Sequence, residues 1–192
     1  MNEMIRARRI GWRIGILSTI IGGIFAISVL IAHPDGILAF PHIGTLYSMG
    51  IPKEDGGTVG YDGQFTYFIA RDGAGAEPLM DGASLRYQRI MYPLLARFLA
   101  VGQPDLVPYM LLLVNVLALG IGAGALAYIL TWVGGNGYLA IGYTLWVGNL
   151  FALRFTLHEI LCFAFALLAV ITYIHRRYIP TIALLILATL TK

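Results

Sequence analysis

Apolar residues in this chain fall into long runs separated by short polar breaks, with one large exception. The runs cover about residues 14–32, 107–132, 138–153, 160–174 and 179–192, the last ending its apolar part at Leu190. At ~1.5 Å per residue, the first two cross most of a ~30 Å bilayer core as helices. His33-Pro34-Asp35-Gly36 ends the first run, because proline and glycine break a helix. Gly134-Gly135-Asn136-Gly137 predicts a tight turn before the third. Arg154–Glu159 is a charged break before the fourth. The exception is the polar segment of residues 33–105.

Within that segment, Tyr61–Arg71 has helical spacing, with Tyr61, Phe65, Phe68 and Ile69 on one face. Gly73–Gly82 reads as a loop. Leu85–Ala100 reads as one amphipathic helix capped by Ser84 and kinked at Pro93, where the ring frees the Arg89 carbonyl. Asp105 is a candidate cap for the run at 107–132, and Gly120-x-x-x-Gly124 inside that run predicts close helix packing. The fold expected is an all-α membrane protein. It is a multi-span helical bundle of about five apolar segments, with a long outer loop carrying short amphipathic helices between spans one and two.

Composition agrees: 58% of residues are hydrophobic and 12% charged, too few charges for a watery surface. The position of charge matters more than its total. Arg6, Arg8, Arg9 and Arg13 lie in or before the first run, and His175-Arg176-Arg177 follow the fourth. If the spans alternate, both clusters share one side, which the positive-inside rule makes cytoplasmic. Residues 33–105, the Arg154–Glu159 break and Lys192 then share the outer face. The first run exceeds the h-region of a signal peptide (~7–15 residues), so it is expected to stay as an anchor. The fifth run covers roughly 18 Å, short of the core, so the chain is expected to be the N-terminal part of a larger protein. The single cysteine, Cys162, forms no internal disulfide or thiol metal site. No basic patch interleaved with aromatics argues for nucleic acid.

Candidate chemistry gathers in Gly60-Tyr61-Asp62-Gly63-Gln64-Phe65, Arg71-Asp72 and Arg86-Tyr87-Gln88-Arg89. Asp62 could accept a proton, hold a divalent cation, or cap the helix that starts near Gly63. Arg86 and Arg89 lie three apart on one helix face. Their planar forks suit a phosphate, though snorkelling toward anionic lipid explains them equally. Tyr67, Tyr87 and Tyr92 are either interface belt residues or platforms for sugar rings. Thr156-Leu157-His158-Glu159 matches a capping box, yet His158 and Glu159 also share the outer face with Asp62. No nucleophile elbow, phosphate loop, HExxH or CxxC occurs.

The basic N-terminus, single span and outer loop with Tyr61-Asp62-Gly63-Gln64-Phe65 and Arg86-Tyr87-Gln88-Arg89-Ile90-Met91-Tyr92-Pro93 resemble bacterial GT-C superfamily glycosyltransferases of the polyprenyl-phosphate-dependent, mannosyltransferase-like kind. Thr156-x-x-Glu159 and the closing Leu190-Thr191-Lys192 are similar to that group as well. The resemblance implies a protein of the bacterial cytoplasmic membrane with its active-site loop outside. It implies a polyprenyl-phosphate sugar donor, a glycan or lipid acceptor, and Asp62 as the acidic residue of the first outer loop that serves as catalytic base or metal ligand. Many members place two acids side by side there. Here Gly63 follows Asp62, and the nearest second acid along the chain is Asp72, which leaves a divalent cation as an open question. Arg86 and Arg89 would then stabilise the leaving phosphate, Tyr61 and Gln64 would position a sugar, and His158 and Glu159 would complete the pocket. The alternative is a non-enzymatic subunit that binds or transports a lipid carrier.

Overall fold

The computed structural model describes residues 2–192. Two long helices dominate: α1 (Asn2–Ala32) and α6 (Val107–Trp132). Between them lie α2 (Thr45–Met49), α3 (Gly63–Asp72), α4 (Ala83–Gln88) and α5 (Met91–Leu99), joined by 3-10 turns. After α6 come α7 (Ile141–Leu145), α8 (Val147–Arg154), α9 (Glu159–Ile174) and α10 (Tyr178–Thr189). No strand occurs among the described residues, and the single bridge pairs Ile43 with Gly60.

The segments Glu3–Ala32 and Pro104–Trp132 are long and apolar enough to cross a membrane, with mean hydropathies of 2.5 and 2.2. Their burial differs: 22% of the first window is buried against 61% of the second. α6 is therefore the central helix and α1 a peripheral one. α1 leaves Trp12, Ile24 and Ile31 more than 60% exposed. Water is a poor solvent for such a surface, and lipid a good one.

α1 and α6 run antiparallel through glycines. A Cβ on Gly124 would stand 2.9 Å from the Gly11 carbonyl oxygen, and one on Gly15 would stand 3.1 Å from that of Gly120. Small residues let the backbones meet, as the Gly120-x-x-x-Gly124 spacing predicts. α9 runs parallel to α6: Asn115 donates to the Leu157 carbonyl at one end, and Tyr128 meets His175 at the other. α10 returns antiparallel to α9, with the Thr172 and Thr181 hydroxyls 2.9 Å apart. The basic clusters of α1 and of residues 175–177 thus lie at one end of the bundle. Residues 33–105, the 154–159 break and Lys192 lie at the other.

Several local expectations are corrected. Residues 138–153 do not form one helix. The chain starts with a 3-10 turn (Gly137–Ala140), then breaks between α7 and α8 at Trp146, whose backbone is extended at φ −63°, ψ 128°. Leu85–Ala100 is two helices rather than one kinked helix. Pro93 stands in the first turn of α5, where its missing N–H needs no partner, and the chain turns at Arg89 instead. Gly82, not Ser84, precedes α4, and Leu106, not Asp105, precedes α6. The capping box at Thr156 does not form, because His158 is the residue that precedes α9. Thr156 instead takes φ +47° in a Schellman ending of α8, where Leu157 N–H bonds the Ala152 carbonyl.

Candidate functional site

The polar stretch of the sequence divides into two clusters. The first is structural. Arg71 makes a two-pronged ion pair with its neighbour Asp72 at 2.8 and 2.6 Å. Arg97 donates to the Ala70 and Arg71 carbonyls and so caps the end of α3. Asp72 is therefore not the second acid beside Asp62.

The second cluster centres on Arg86. Its Nη2 donates to Asp62 Oδ1 at 3.0 Å. Its Nε and Nη2 donate to Asp81 at 2.9 and 2.8 Å. The guanidinium also lies 4.2 Å from the Phe65 ring centroid, so its face is covered. Hydrogen bonding to Arg86 holds the Asp81 carboxyl below its usual range, and Asp81 in turn raises Arg86 above its own. Asp81 is the second acid; it lies nineteen positions after Asp62 in the chain, beyond α3 and a 3-10 turn, so only the folded chain brings the two together.

Asp62 precedes α3 but makes no side-chain cap bond, so its side chain is committed to Arg86 rather than to the helix end. Its side chain is 52% exposed, and Oδ2 forms no hydrogen bond or ion pair among the described residues. Gly63 is required beside it, because a Cβ there would collide with the Phe155 carbonyl. That close approach brings the start of α3 against the 154–159 break.

Arg89 ends α4, is half-buried, and has no hydrogen-bonded or ionic side-chain partner among the described residues. Arg86 and Arg89 are thus unequal: one is held by two acids, and the other has no such partner among the described residues.

His158 is buried beneath this cluster. Its Nε2 stands 3.2 Å from Thr66 Oγ1, and its ring meets Tyr92 edge-on at 5.5 Å. Burial pushes its pKa down to about 4, opposed by Glu159 and aided by Arg89 and Arg86. The ring is neutral at pH 7. Glu159 accepts from Lys192 at 2.8 Å, while its Oε2 is buried without a partner. Burial works against its charge, yet the Lys192 bond keeps the carboxyl below its ordinary value.

Four expected contacts are corrected: those of Gln64, Tyr67, Tyr87 and Tyr92. Gln64 does not face a ligand. It is 1% exposed, accepting from Gly44 N–H at 3.0 Å and donating to the Val59 carbonyl at 2.8 Å. Tyr61 packs on Phe155 and Phe151, with ring centroids 4.6 and 5.5 Å away, and stays exposed beside Asp62. Tyr92 is fully buried with its hydroxyl on the Leu111 carbonyl, Tyr67 is buried, and Tyr87 donates to the Gly73 carbonyl. These three are neither belt residues nor open sugar platforms.

The donor set does not fit a divalent cation. No three His, Cys, Asp or Glu side chains converge among the described residues, and the two nearest acids share Arg86.

Fold and site together define an all-helical chain with two membrane-length helices and a carboxylate–arginine cluster at one end of the bundle. No protein-family model, curated protein or solved structure matches the chain significantly.

Proposed function

We propose that the chain is a multi-pass membrane glycosyltransferase, or part of one, of the GT-C kind, taking a sugar from a polyprenyl-phosphate donor to a glycan or lipid acceptor. The observation that carries the reading is Asp62: a half-exposed carboxylate with one oxygen tied to Arg86 and the other open. In this reading five segments pass through the cytoplasmic membrane of a bacterium, and the Asp62 end faces outward. Separation of the basic clusters from the polar segment, at opposite ends of the bundle, supports that orientation.

The chemistry follows from two tasks. The acceptor hydroxyl oxygen attacks the anomeric carbon, and the bond from that carbon to the phosphate oxygen breaks. The departing electron pair stays on the phosphate, whose growing charge Arg89 stabilises. The hydroxyl proton passes to Asp62 Oδ2. Arg86 orients Asp62, and the neutral His158 with Thr66 forms the floor beneath. Gln64 has no part in binding here.

The test is transfer from a polyprenyl-phosphate sugar by the full-length protein and its Asp62→Asn variant. Loss of a general base lowers turnover by about 10²–10⁴-fold. Undiminished transfer would remove Asp62 from the mechanism. Arg89 alone could also serve a non-enzymatic carrier-binding subunit. That reading predicts polyprenyl-phosphate binding that survives Asp62→Asn, with no turnover in either form.

A further inference from the structure

A groove of about 770 Å³ opens at the basic end of the bundle, away from the Asp62 cluster. Its floor is the α1–α6 seam, where Gly11, Gly15, Gly120 and Gly124 bring the backbones together and leave no side chains to fill the surface. Leu117, Ile121, Leu168 and Ile171 form apolar walls. Arg8, His175 and Arg177 line its basic end, and no acidic residue lines it among those described. His175 is engaged by the Tyr128 hydroxyl at 2.6 Å. Arg8 and Arg177 are exposed and form no ion pair among the described residues.

We infer that this groove holds one anionic phospholipid of the surrounding bilayer. The phosphate sits between Arg8 and Arg177, and an acyl chain lies along the glycine floor. The charge pattern selects the occupant: two unpaired guanidiniums at one end and an apolar trough beyond them match a phosphate followed by a hydrocarbon tail. Length agrees. On α1 the lining runs from Met4 to Thr19, ~22 Å at ~1.5 Å per residue, which spans one leaflet of a ~30 Å core and its headgroup. A soluble ligand would not need the trough, and a neutral lipid would not need the arginines. The inference needs the membrane setting but not the transferase reading.

Native mass spectrometry of the full chain in detergent, titrated with dioleoylphosphatidylglycerol or dioleoylphosphatidylcholine, tests this. One phosphatidylglycerol is expected to remain bound per chain in preference to phosphatidylcholine. Arg8→Gln with Arg177→Gln weakens its retention about 25-fold, from about fivefold per cation. Arg13→Gln with Arg176→Gln removes the same charge outside the groove lining and leaves retention unchanged. Ile121→Trp, at a 48% exposed position in the wall, fills the trough and weakens retention with both arginines intact. Circular dichroism checks that each variant keeps its helices. Equal loss in the two arginine pairs, equal retention of the two lipids, or a dimer that closes the groove and carries no lipid would overturn the inference.

Discussion

Gln64→Leu separates a residue that holds the loop from one that holds a ligand. Leucine nearly conserves volume at a 1% exposed position, so the change removes hydrogen bonds and leaves little cavity. Two backbone groups lose their partner. The Gly44 N–H is buried, and leaving it unmatched costs about 1–3 kcal/mol. Val59 is 41% exposed, so its carbonyl rehydrates and only the net bond of about 0.5–1.5 kcal/mol is lost. The sum is about 3 kcal/mol, or a fall in Tm of roughly 6–12 °C for a chain of this size. Thermal unfolding in detergent, followed by circular dichroism, measures it. The loop from His42 to Gly60 leads directly into Asp62, so turnover falls through geometry and saturating donor does not restore it. A variant with wild-type Tm and a defect confined to the donor KM would refute this assignment and return Gln64 to the binding site.

Three more outcomes follow from the same geometry. His158 has a folded pKa of about 4 against ~6.5 unfolded, so the unfolded chain binds more protons between those values, and stability is full above pH 6.5 and lost as pH falls toward 4. The loss is about 3 kcal/mol, and His158→Phe should flatten that part of the Tm-against-pH curve; an unchanged slope would exclude His158 as its source. Thr156→Gly relieves a β-branched residue at φ +47° and removes a buried, unpartnered hydroxyl. Strain relief of about 1–2 kcal/mol exceeds glycine's entropic penalty of about 0.5–1, so Tm rises by a few degrees, whereas Thr156→Val removes the hydroxyl but keeps the backbone strain and gives a smaller rise. Gly124→Leu forces α1 from α6, since the nearest atom to a new Cβ is the Gly11 backbone oxygen at 2.9 Å, and should cost about 2–3 kcal/mol; an unchanged Tm would contradict the seam.

Those features were unevenly legible in the sequence. α1 and α6 follow from uninterrupted apolar length, and their contact follows from glycine spacing. The break at Trp146 had only a weak mark, Thr144 before it and Gly148 and Asn149 after it, in a run otherwise apolar enough to read as one helix. Pro93 was visible, but one proline fits either a kink inside a helix or the first turn of a new one, and tertiary packing of Tyr92 against His158 chose the second. The helical face of α3 was read from Tyr61, Phe65, Phe68 and Ile69, whereas Gly63 through Ala70 are all buried. A helix enclosed on every side has no face to announce. Gln64 looked like a solvent-facing amide for the same reason: its partners, Gly44 and Val59, are defined only once the loop closes.

The charges around Asp62 show why a second acid belongs there at all. Three ion pairs near it decide the balance: Arg86 with Asp62, Arg86 with Asp81, and Lys192 with Glu159. Glu159 and Lys192 neutralise each other, Arg86 carries two carboxylates, and Arg89 carries none. The result is one open oxygen on Asp62 and a guanidinium without an ionic partner on Arg89 among the described residues. Asp81 produces that asymmetry. It occupies the Nε–Nη2 edge of Arg86 with both its oxygens, an edge that could otherwise grip both oxygens of Asp62. With that edge filled, Asp62 gives up one oxygen and keeps the other open. A site built only to bind a phosphate would gain nothing from this, since each carboxylate diminishes the pull of Arg86 on an anion. A site that must also take a proton from a hydroxyl needs such a free oxygen, held in place by its neighbour.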